Sequence, residues 1–519
     1  MVMATGGMAA TSHPLSTLTA VNVLEAGGNA MDAAVAACAV QCVVEPGSTG
    51  IGGDCFALYA PATGGVVAFN GSGRAPAAAT TEWFAHQGIA AIERQSPHAV
   101  TVPGAIDAWA SLLRDHGTRS LGDLLQPAIR YASDGFAITP RVGWDWARQE
   151  QLLRKDPSAR EKYLPGGHAP AVGTAHRLPA LATTLAAIAN GGRDAFYEGP
   201  IAADIVEHLR SLGGLHTMDD FADAQGSYVE PIKTNFRGFE VYECPPNGQG
   251  IIALMLLNIL SGLNADGDPL SPDRLHIEIE AARLAYAMRS AFLADPDATH
   301  VPTEWLLSGS LADELRSRID LRRAGELKPI AMPVQHSDTV YLTVVDRNRN
   351  AVSFINSLFS PYGSGIAGPR SGVLLHNRGQ SFVLNPRHPN AIAPRKRPMH
   401  TIIPGMLMRD GRACMPFGVM GGHYQAQGHA HFLTKVFDYG MDMQSAIELP
   451  RQNIRPGTAI VEVEGTMPAT TIAELSRRGF AFERSEIPIG GAQAIWIDRD
   501  NGTLIGASDP RKDGCALGY

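Results

Sequence analysis

Hydrophobic positions follow a helical period in some stretches of the chain and form short strand-like runs in others. Helical spacing predicts helices over residues 16–26, 30–44, 251–261 and 273–294. The first ends at a glycine pair and the second just before Pro46, which are common helix stop signals. Runs of β-branched and aromatic residues predict strands at residues 57–59, 66–70, 240–243, 340–345, 351–355 and 492–497. The pattern therefore predicts a mixed α and β fold.

One predicted strand begins abruptly on a hydroxyl residue. Thr339 directly follows Asp338 and opens a run of β-branched and aromatic residues that closes at a polar turn. The preceding residues, 322–338, combine two prolines with mixed charge and no sustained period, which predicts an exposed linker. Threonine is a good strand former, so its position has an ordinary structural explanation. The alternative is that Thr339 is the nucleophile of an enzyme that cuts its own chain.

Composition and charge narrow the class of protein. The 519 residues can build a large core and two or three average domains, and the 45% hydrophobic and 18% charged fractions are typical of a globular chain. The net charge of -8 and the pI near 6.1 provide no basic surface for a polyanion. We therefore expect neither a nucleic-acid partner nor binding to an anionic membrane.

The sparse cysteines and the absence of long apolar runs indicate a cytoplasmic protein. The 6 cysteines show no metal-finger spacing, and we expect reduced, mostly buried thiols. The N-terminus lacks the basic and apolar regions of a secretory signal. The longest apolar run, residues 251–257 continuing to 260, is well short of the roughly 20 residues that span a bilayer.

Several common chemical motifs are missing. The chain has no GxSxG serine, no HExxH helix and no P-loop lysine, and the glycine-rich GSTGIGGDCF has Cys55 where a dinucleotide fingerprint needs its third glycine. His423, His429 and His431 are close in sequence, but the nearest two are separated by two positions and would not share a helix face. A metal site there is a minor alternative, and we expect no cofactor.

A series of stretches resembles the γ-glutamyltransferase (γ-glutamyltranspeptidase) family of N-terminal-nucleophile hydrolases. They run in family order from about residue 8 to the C-terminus and include GIGGDCF, CPPNGQG, SDTVYLTVVD, GVLLHNRGQSF, RKRPMHTIIPGML and GVMGGH. The resemblance implies a four-layer αββα sandwich, made as a proenzyme that cleaves itself between Asp338 and Thr339. The products would be a large subunit, residues 1–338, and a small subunit, residues 339–519, which stay together as one folded heterodimer. A further homo-oligomer is left open.

The resemblance also implies a catalytic apparatus. A threonine hydroxyl is a weak nucleophile, but an N-terminal Thr339 would carry its own base as its α-amine. The family's oxyanion hole matches the backbone N–H groups of Gly421 and Gly422, although two glycines are also ordinary in a tight turn. The second hydroxyl that the family places near the nucleophile matches Ser357.

The expected carboxylate-binding residues depart from the family pattern. Members that use glutathione hold its α-carboxylate with an arginine and two serines. The arginine corresponds best to Arg74, although the spacing before the following proline is shorter than usual. The serine pair is replaced by His400 and Thr401. We expect Arg74 and Thr401, with His400 as a further candidate, to bind an anionic acyl group.

The expected amino-binding residues depart further. The family's asparagine is replaced by Phe359 and its aspartate by Ser381, while Arg378 and Gln380 add groups that a glutathione pocket does not have there. Without an acidic partner, a pocket has little reason to prefer a substrate ammonium.

These observations leave an ordered set of functions. Hydrolysis or transfer of γ-glutamyl-type amides comes first, because the resemblance covers nearly the whole chain. The alternative is a glutaryl or cephalosporin acylase or an oxamate amidohydrolase, members of the same family whose acyl group need not carry an α-amino group. An inactive relative with a binding role and a metal-dependent amidohydrolase are the remaining alternatives.

Overall fold

The fold comes from a computed structural model that describes residues 1–263, 267–326, 339–455, 458 and 460–519. Asp338 and residues 327–337 of the expected linker lie outside the described residues. The linker prediction for that stretch therefore stays a prediction.

Two seven-stranded antiparallel sheets form the centre of the fold. In spatial order, the first sheet contains Val2–Ala4, Thr503–Ser508, Gly491–Asp498, Arg412–Met420, Gly405–Arg409, Phe239–Glu243 and Ile232–Phe236. The second contains Cys515–Gly518, Met8–Thr11, Val340–Val345, Ala351–Ser357, Asp54–Ala60, Val67–Gly71 and Ser227–Val229. The strand that follows Thr339 thus lies inside the second sheet and pairs with a neighbour on each side.

Two small sheets lie outside these layers. One contains Gln452–Ile454, Ile460–Val463 and Ala481–Arg484, and the other contains Phe136–Ala137 and Ala175–His176. They do not contribute any of the expected site residues.

Helices lie between the strands along the chain, which begins and ends with a strand. The α-helices are Pro14–Glu25, Ala30–Val44, Thr81–His86, Ala105–His116, Leu121–Asp134, Pro140–Ala147, Glu150–Leu153, Pro157–Tyr163, Pro179–Tyr197, Pro200–Ser211, Met218–Ala222, Gly250–Leu260, Pro272–Phe292, Thr303–Leu306, Gly309–Ser317, Tyr424–Asp438, Met443–Glu448 and Ala469–Arg477. Short 3-10 helices form at Pro97–Ala99, Pro165–Gly167 and Arg378–Ser381.

Three hydrophobic clusters join the layers into a sandwich. The first packs helices such as Ala30–Val44 on the outer face of the second sheet. The next lies between the two sheets and includes Phe56, Tyr341 and Met420. The last packs helices such as Gly250–Leu260 on the outer face of the first sheet. The layers are therefore helix, sheet, sheet and helix, which confirms the αββα sandwich that the resemblance implies.

The elements predicted from periodicity are confirmed, with small shifts at their ends. The helix Ala30–Val44 has its predicted bounds because Asn29 and Asp32 form a capping box at its start. The strand predicted at residues 351–355 continues to Ser357, because it pairs with Asp54–Ala60 along its whole length. Tertiary pairing of this kind is not visible in a local pattern.

The described residues contain no helix long and apolar enough to cross a membrane. All cysteines are free thiols, and every one except the half-buried Cys515 is buried.

Candidate active site

Thr339 and Ser357 face each other across a β-hairpin of the second sheet. The strands Val340–Val345 and Ala351–Ser357 pair with Val340 opposite Asn356, so the next pair outward is Thr339 with Ser357. Their hydroxyl oxygens are 3.1 Å apart. Both residues are fully buried. The hairpin register therefore explains why two residues separated by 18 positions come together.

Backbone and side-chain amides orient these hydroxyls. The N–H of Phe359 donates to Ser357 Oγ at 2.9 Å. The side-chain amide of Gln425 lies 3.4 Å from Thr339 Oγ1, to which it donates. Since Ser357 Oγ already accepts from Phe359, its own proton can be donated to Thr339 Oγ1. The Thr339 hydroxyl is thus held in a defined direction.

A glycine turn connects the strand Arg412–Met420 to the helix Tyr424–Asp438. Gly421 and Gly422 have φ angles of 129° and 58°, which favour glycine. The Gly421 carbonyl accepts from the Tyr424 N–H at 3.1 Å. Because the C=O and N–H of a trans peptide point in opposite directions, the Gly422 N–H points away from this helix turn. The turn also lies at a helix N-terminus, where partial positive charge favours an anion.

Gln249 joins the glycine turn to Thr401. Its side-chain amide donates to the carbonyl oxygens of Gly422 and Thr401, each at 2.9 Å. Its side-chain oxygen accepts from Arg289 Nη1 at 2.6 Å. Burial lowers the pKa of Arg289 to about 10, so this residue remains a cation at neutral pH. The buried cation Arg289 and the Gln249 amide therefore fix the glycine turn. Gln425 connects this turn to Thr339.

Arg378 is a fully buried cation beside Phe359 and Thr401. Its Cζ atom lies 4.0 Å from the centre of the Phe359 ring, and its Nη1 donates to Thr401 Oγ1 at 2.9 Å. Burial lowers the pKa of Arg378 to about 9, although the charge of Asp54 opposes this shift. Arg378 is therefore protonated at neutral pH. Its Nε and Nη2 have no hydrogen-bond partner among the described residues.

His400 contacts a buried carboxylate, Asp54, instead of presenting a positive charge. Its Nε2 lies 3.0 Å from Asp54 Oδ2, and His376 Nδ1 lies 3.4 Å from the same oxygen. Burial, reinforced by the charge of Arg378, lowers the pKa of His400 to about 3, so the ring is neutral at pH 7. Burial alone would raise the pKa of Asp54, but the two histidines outweigh it and lower that pKa.

Gln380 and Ser381 complete the short turn that Arg378 begins. The Gln380 side chain accepts from Asn377 Nδ2 at 2.7 Å and donates to the Ile92 carbonyl at 3.2 Å. Ser381 Oγ is buried and has no hydrogen-bond partner within the described part of the chain. Neither residue brings a negative charge to the turn.

Arg74 belongs to a different set of contacts. Its guanidinium lies 3.0 Å from Asp297 and 3.6 Å from Asp295, and its side chain is 32% exposed. Among the described residues, Arg74 donates hydrogen bonds to the Arg395 carbonyl and to Asp297. Neither contact involves Thr339 or Arg378. The expected role of Arg74 at the carboxylate stays a prediction, and two aspartates already balance its charge.

The three histidines near the glycine turn have separate partners. His429 lies 2.6 Å from Glu243, His431 lies 3.4 Å from Glu278, and His423 accepts from Arg289 at 3.1 Å. The described residues include no group of three or more histidine, cysteine or acidic side chains that could hold a metal ion.

Sequence reasoning did not identify Gln249, Gln425 or Asp54 as neighbours of the site. All three are polar residues that are fully buried. Asp54 lies within the stretch GIGGDCF and Gln249 within CPPNGQG, while Gln425 follows shortly after GVMGGH. A buried polar residue beside such a stretch is the signal that could have identified them.

The sandwich and the geometry around Thr339 define the class of N-terminal-nucleophile hydrolases. A family model described as gamma-glutamyltranspeptidase matches residues 16–519, and the chain belongs to this family. It is therefore an enzyme of the hydrolase or transferase type.

Named proteins and a solved structure are similar to this chain over its whole length. The chain is 37% identical over 530 residues to the glutathione hydrolase-like YwrD proenzyme of Bacillus subtilis, covering 100% of this chain and 99% of that protein. It is 35% identical over 533 residues to the oxamate amidohydrolase proenzyme of Klebsiella pneumoniae, with coverage of 100% and 99%. The crystal structure of cephalosporin acylase from Bacillus halodurans superposes with a TM-score of 0.93 at 38% identity, covering 100% of this chain and 96% of that one.

Proposed function

We propose that this protein is a self-processing amidohydrolase in which Thr339 first cuts its own chain and then attacks an amide substrate. The observation that carries the proposal is the contact of 3.1 Å between the Thr339 and Ser357 hydroxyls. Further support comes from the glycine turn, which Gln425 connects to Thr339.

In the first reaction, Thr339 Oγ1 attacks the carbonyl carbon of the preceding residue. The C–N bond to the Thr339 nitrogen breaks, that nitrogen takes a proton, and an ester joins the two parts. Water then hydrolyses the ester and regenerates the hydroxyl. Before cleavage the Thr339 nitrogen is an amide without an available lone pair, and after cleavage it is an amine that can act as a base. Self-cleavage therefore creates the base that later turnovers use.

In the second reaction, the amine takes the proton from Thr339 Oγ1 as the oxygen attacks the substrate carbonyl. The proton passes to the leaving amine, the amide C–N bond breaks, and the acyl group becomes a threonine ester. Water or another amine then attacks this ester. The N–H groups of the Gly421–Gly422 turn would stabilise the oxyanion in both steps, and losing one such donor typically costs on the order of 100-fold in rate.

The acyl group is the part of the substrate that distinguishes the relatives. They are named a glutathione hydrolase-like protein, an oxamate amidohydrolase and a cephalosporin acylase, and these names share the hydrolysis of an amide. γ-Glutamyl-type amides are the first candidate on family grounds. The alternative, an anionic acyl group without an α-amino group, is supported by Phe359 and Ser381, which offer no negative charge to an ammonium.

Variants of Thr339 test the proposal. Thr339→Ala should remain one chain and release no amine from any amide, whereas Thr339→Ser should retain part of both reactions because it keeps the hydroxyl. Denaturing gels follow the cleavage, and amine release follows the turnover. An alanine variant that hydrolyses amides at the wild-type rate would rule out Thr339 as the nucleophile.

The proposal also includes the assembly and the compartment. Residues 1–338 and 339–519 would stay together as a heterodimer, because each main sheet contains strands from both parts. Free thiols at all cysteines support a reducing compartment, the cytoplasm.

A further inference from the structure

We propose that Arg378, and not Arg74, binds the carboxylate at the far end of the substrate's acyl group. This inference rests on the proposed function, because it assigns the group that recognises the acyl chain attacked by Thr339. It replaces Arg74 in the role that sequence reasoning gave to that residue.

The Arg378 guanidinium presents one unused edge. Nη1 is occupied by Thr401 Oγ1, whereas Nε and Nη2 have no partner among the described residues. Nε and Nη2 carry the two parallel N–H bonds of an arginine's side-on fork, which is the geometry that binds both oxygens of a carboxylate. A buried cation with an unused fork is costly, and a bound carboxylate would remove that cost.

Two contacts fix the direction of this fork. The Phe359 ring stacks against the guanidinium at 4.0 Å, and Thr401 holds Nη1 at 2.9 Å. Phe359 itself has a φ of 78°, a left-handed conformation that is costly for a non-glycine residue. Its N–H donates to Ser357 Oγ, so the residue under the arginine also touches the hydroxyl beside the nucleophile. Arg378 and Thr339 are thereby parts of one connected site.

Nearby charges leave Arg378 without a competing carboxylate. Asp54 attracts Arg378, but its oxygens accept from the Gly73 and Gly104 N–H groups at 2.9 and 3.2 Å and from His400 at 3.0 Å. His400 is neutral and donates to Asp54, so it cannot replace Arg378 as a cation. Arg74 is paired with aspartates. Arg378 is therefore a cation of this site that forms no ion pair with a carboxylate of the described residues.

The test uses p-nitroanilides of oxalic, malonic, succinic and glutaric acid with the processed enzyme. Each substrate is compared with a neutral analogue in which the distal carboxylate is a carboxamide. The wild-type enzyme should prefer the carboxylate by about 10- to 100-fold in kcat/KM, the range expected for a charged hydrogen bond. The chain length that gives the largest ratio reports the separation of the Thr339 hydroxyl from Arg378.

Variants show which residue causes the preference for the carboxylate substrates. Arg378→Met should reduce the ratio of carboxylate to carboxamide to near one, and Arg378→Lys should give an intermediate ratio because it keeps the charge without the fork. Self-cleavage on a gel confirms that each variant folds. Arg74→Met is the discriminating variant, and its ratio should remain close to that of the wild type. If neither Arg378 variant folds, a ratio kept in Arg74→Met supports the inference and a ratio lost there overturns it.

The failure of this inference differs from the failure of the proposed function. The inference alone is contradicted if an enzyme that needs Thr339 hydrolyses both members of each pair equally well, or if Arg378→Met keeps the wild-type ratio. In either case water alone fills the fork. A processed chain that hydrolyses none of these amides contradicts both.

Discussion

Ser357 and Gln425 both contact the Thr339 hydroxyl, and these contacts determine what single substitutions should do. Ser357 links Phe359 to Thr339, since its Oγ accepts from the Phe359 N–H and lies 3.1 Å from Thr339 Oγ1. In the proposed mechanism Ser357 orients the Thr339 hydroxyl, which matters for self-cleavage and for turnover alike.

Replacing Ser357 with alanine should slow both reactions by about tenfold, because one orienting hydrogen bond is lost. Ser357→Thr keeps the hydroxyl and should restore most of the rate. The two rates are measured by the loss of the intact chain and by amine release, with KM determined separately. A Ser357→Ala enzyme with an unchanged kcat would show that this hydroxyl has no role in orienting Thr339.

Glutathione should be a poor substrate, because its α-ammonium would meet the Arg378 cation and the uncharged Phe359 and Ser381. Each charged hydrogen bond that is missing forfeits roughly 1.5 to 3 kcal/mol, or about one to two powers of ten in affinity. Glutaryl and γ-glutamyl p-nitroanilide both carry the distal carboxylate and differ only in the α-amino group, so the glutaryl compound should give the higher kcat/KM. Efficient glutathione turnover that dipeptide acceptors strongly accelerate would refute this prediction.

At the level of elements, the hairpin and the glycine turn each bring groups of the proposed catalytic site to one end of a strand. The hairpin aligns Thr339 with Ser357 through its register, and the turn after Arg412–Met420 aims the Gly422 N–H away from the following helix. Gln249 then fixes the Gly422 carbonyl at 2.9 Å.

Gly422→Val should abolish most turnover while the protein still folds, because a β-branched side chain would strain the turn and crowd the N–H groups. Gly440→Val is the matched control, since Gly440 has a similar φ of 63° and open space around its Cβ position. Both variants should lose comparable stability in thermal unfolding. Equal amidase activity in the two variants would remove Gly422 from the oxyanion hole.

Local patterns predicted the elements, but not the contacts between distant segments. The strand Val340–Val345 and the helix Ala30–Val44 were predicted with their observed bounds, because propensity and caps are local. The contact of His400 with Asp54 joins residues that are 346 positions apart in the sequence. The pairing of Arg74 with Asp297 likewise spans 223 residues. No local pattern contains such information.

At the scale of the whole molecule, several histidines are buried in a neutral state. Burial lowers the pKa from 6.5 to about 4 at His13, His176, His216 and His431, and to about 3 at His400. Between these values and 6.5, the unfolded chain binds protons that the folded chain does not. Stability should therefore fall as the pH falls through this range.

The urea midpoint of the Thr339→Ala chain, followed from about pH 7.5 to about pH 5, should decrease below about pH 6.5. His176 packs 5.0 Å from the Trp146 ring, so His176→Phe is tolerable and should flatten the slope by up to about 1.4 kcal/mol per pH unit. His168→Phe is the control, because the His168 side chain is 74% exposed. Identical slopes for the two variants would contradict the buried neutral state of His176.

The central claim is that the chain cuts itself to release Thr339, and the intact mass of the purified wild-type protein tests it most directly. Self-cleavage should give two polypeptides, residues 1–338 and 339–519, whose masses sum to the 55.2 kDa chain plus one water. The smaller polypeptide should begin with Thr339, and the Thr339→Ala protein should remain whole. A single 55.2 kDa chain with full amidase activity would contradict the claim.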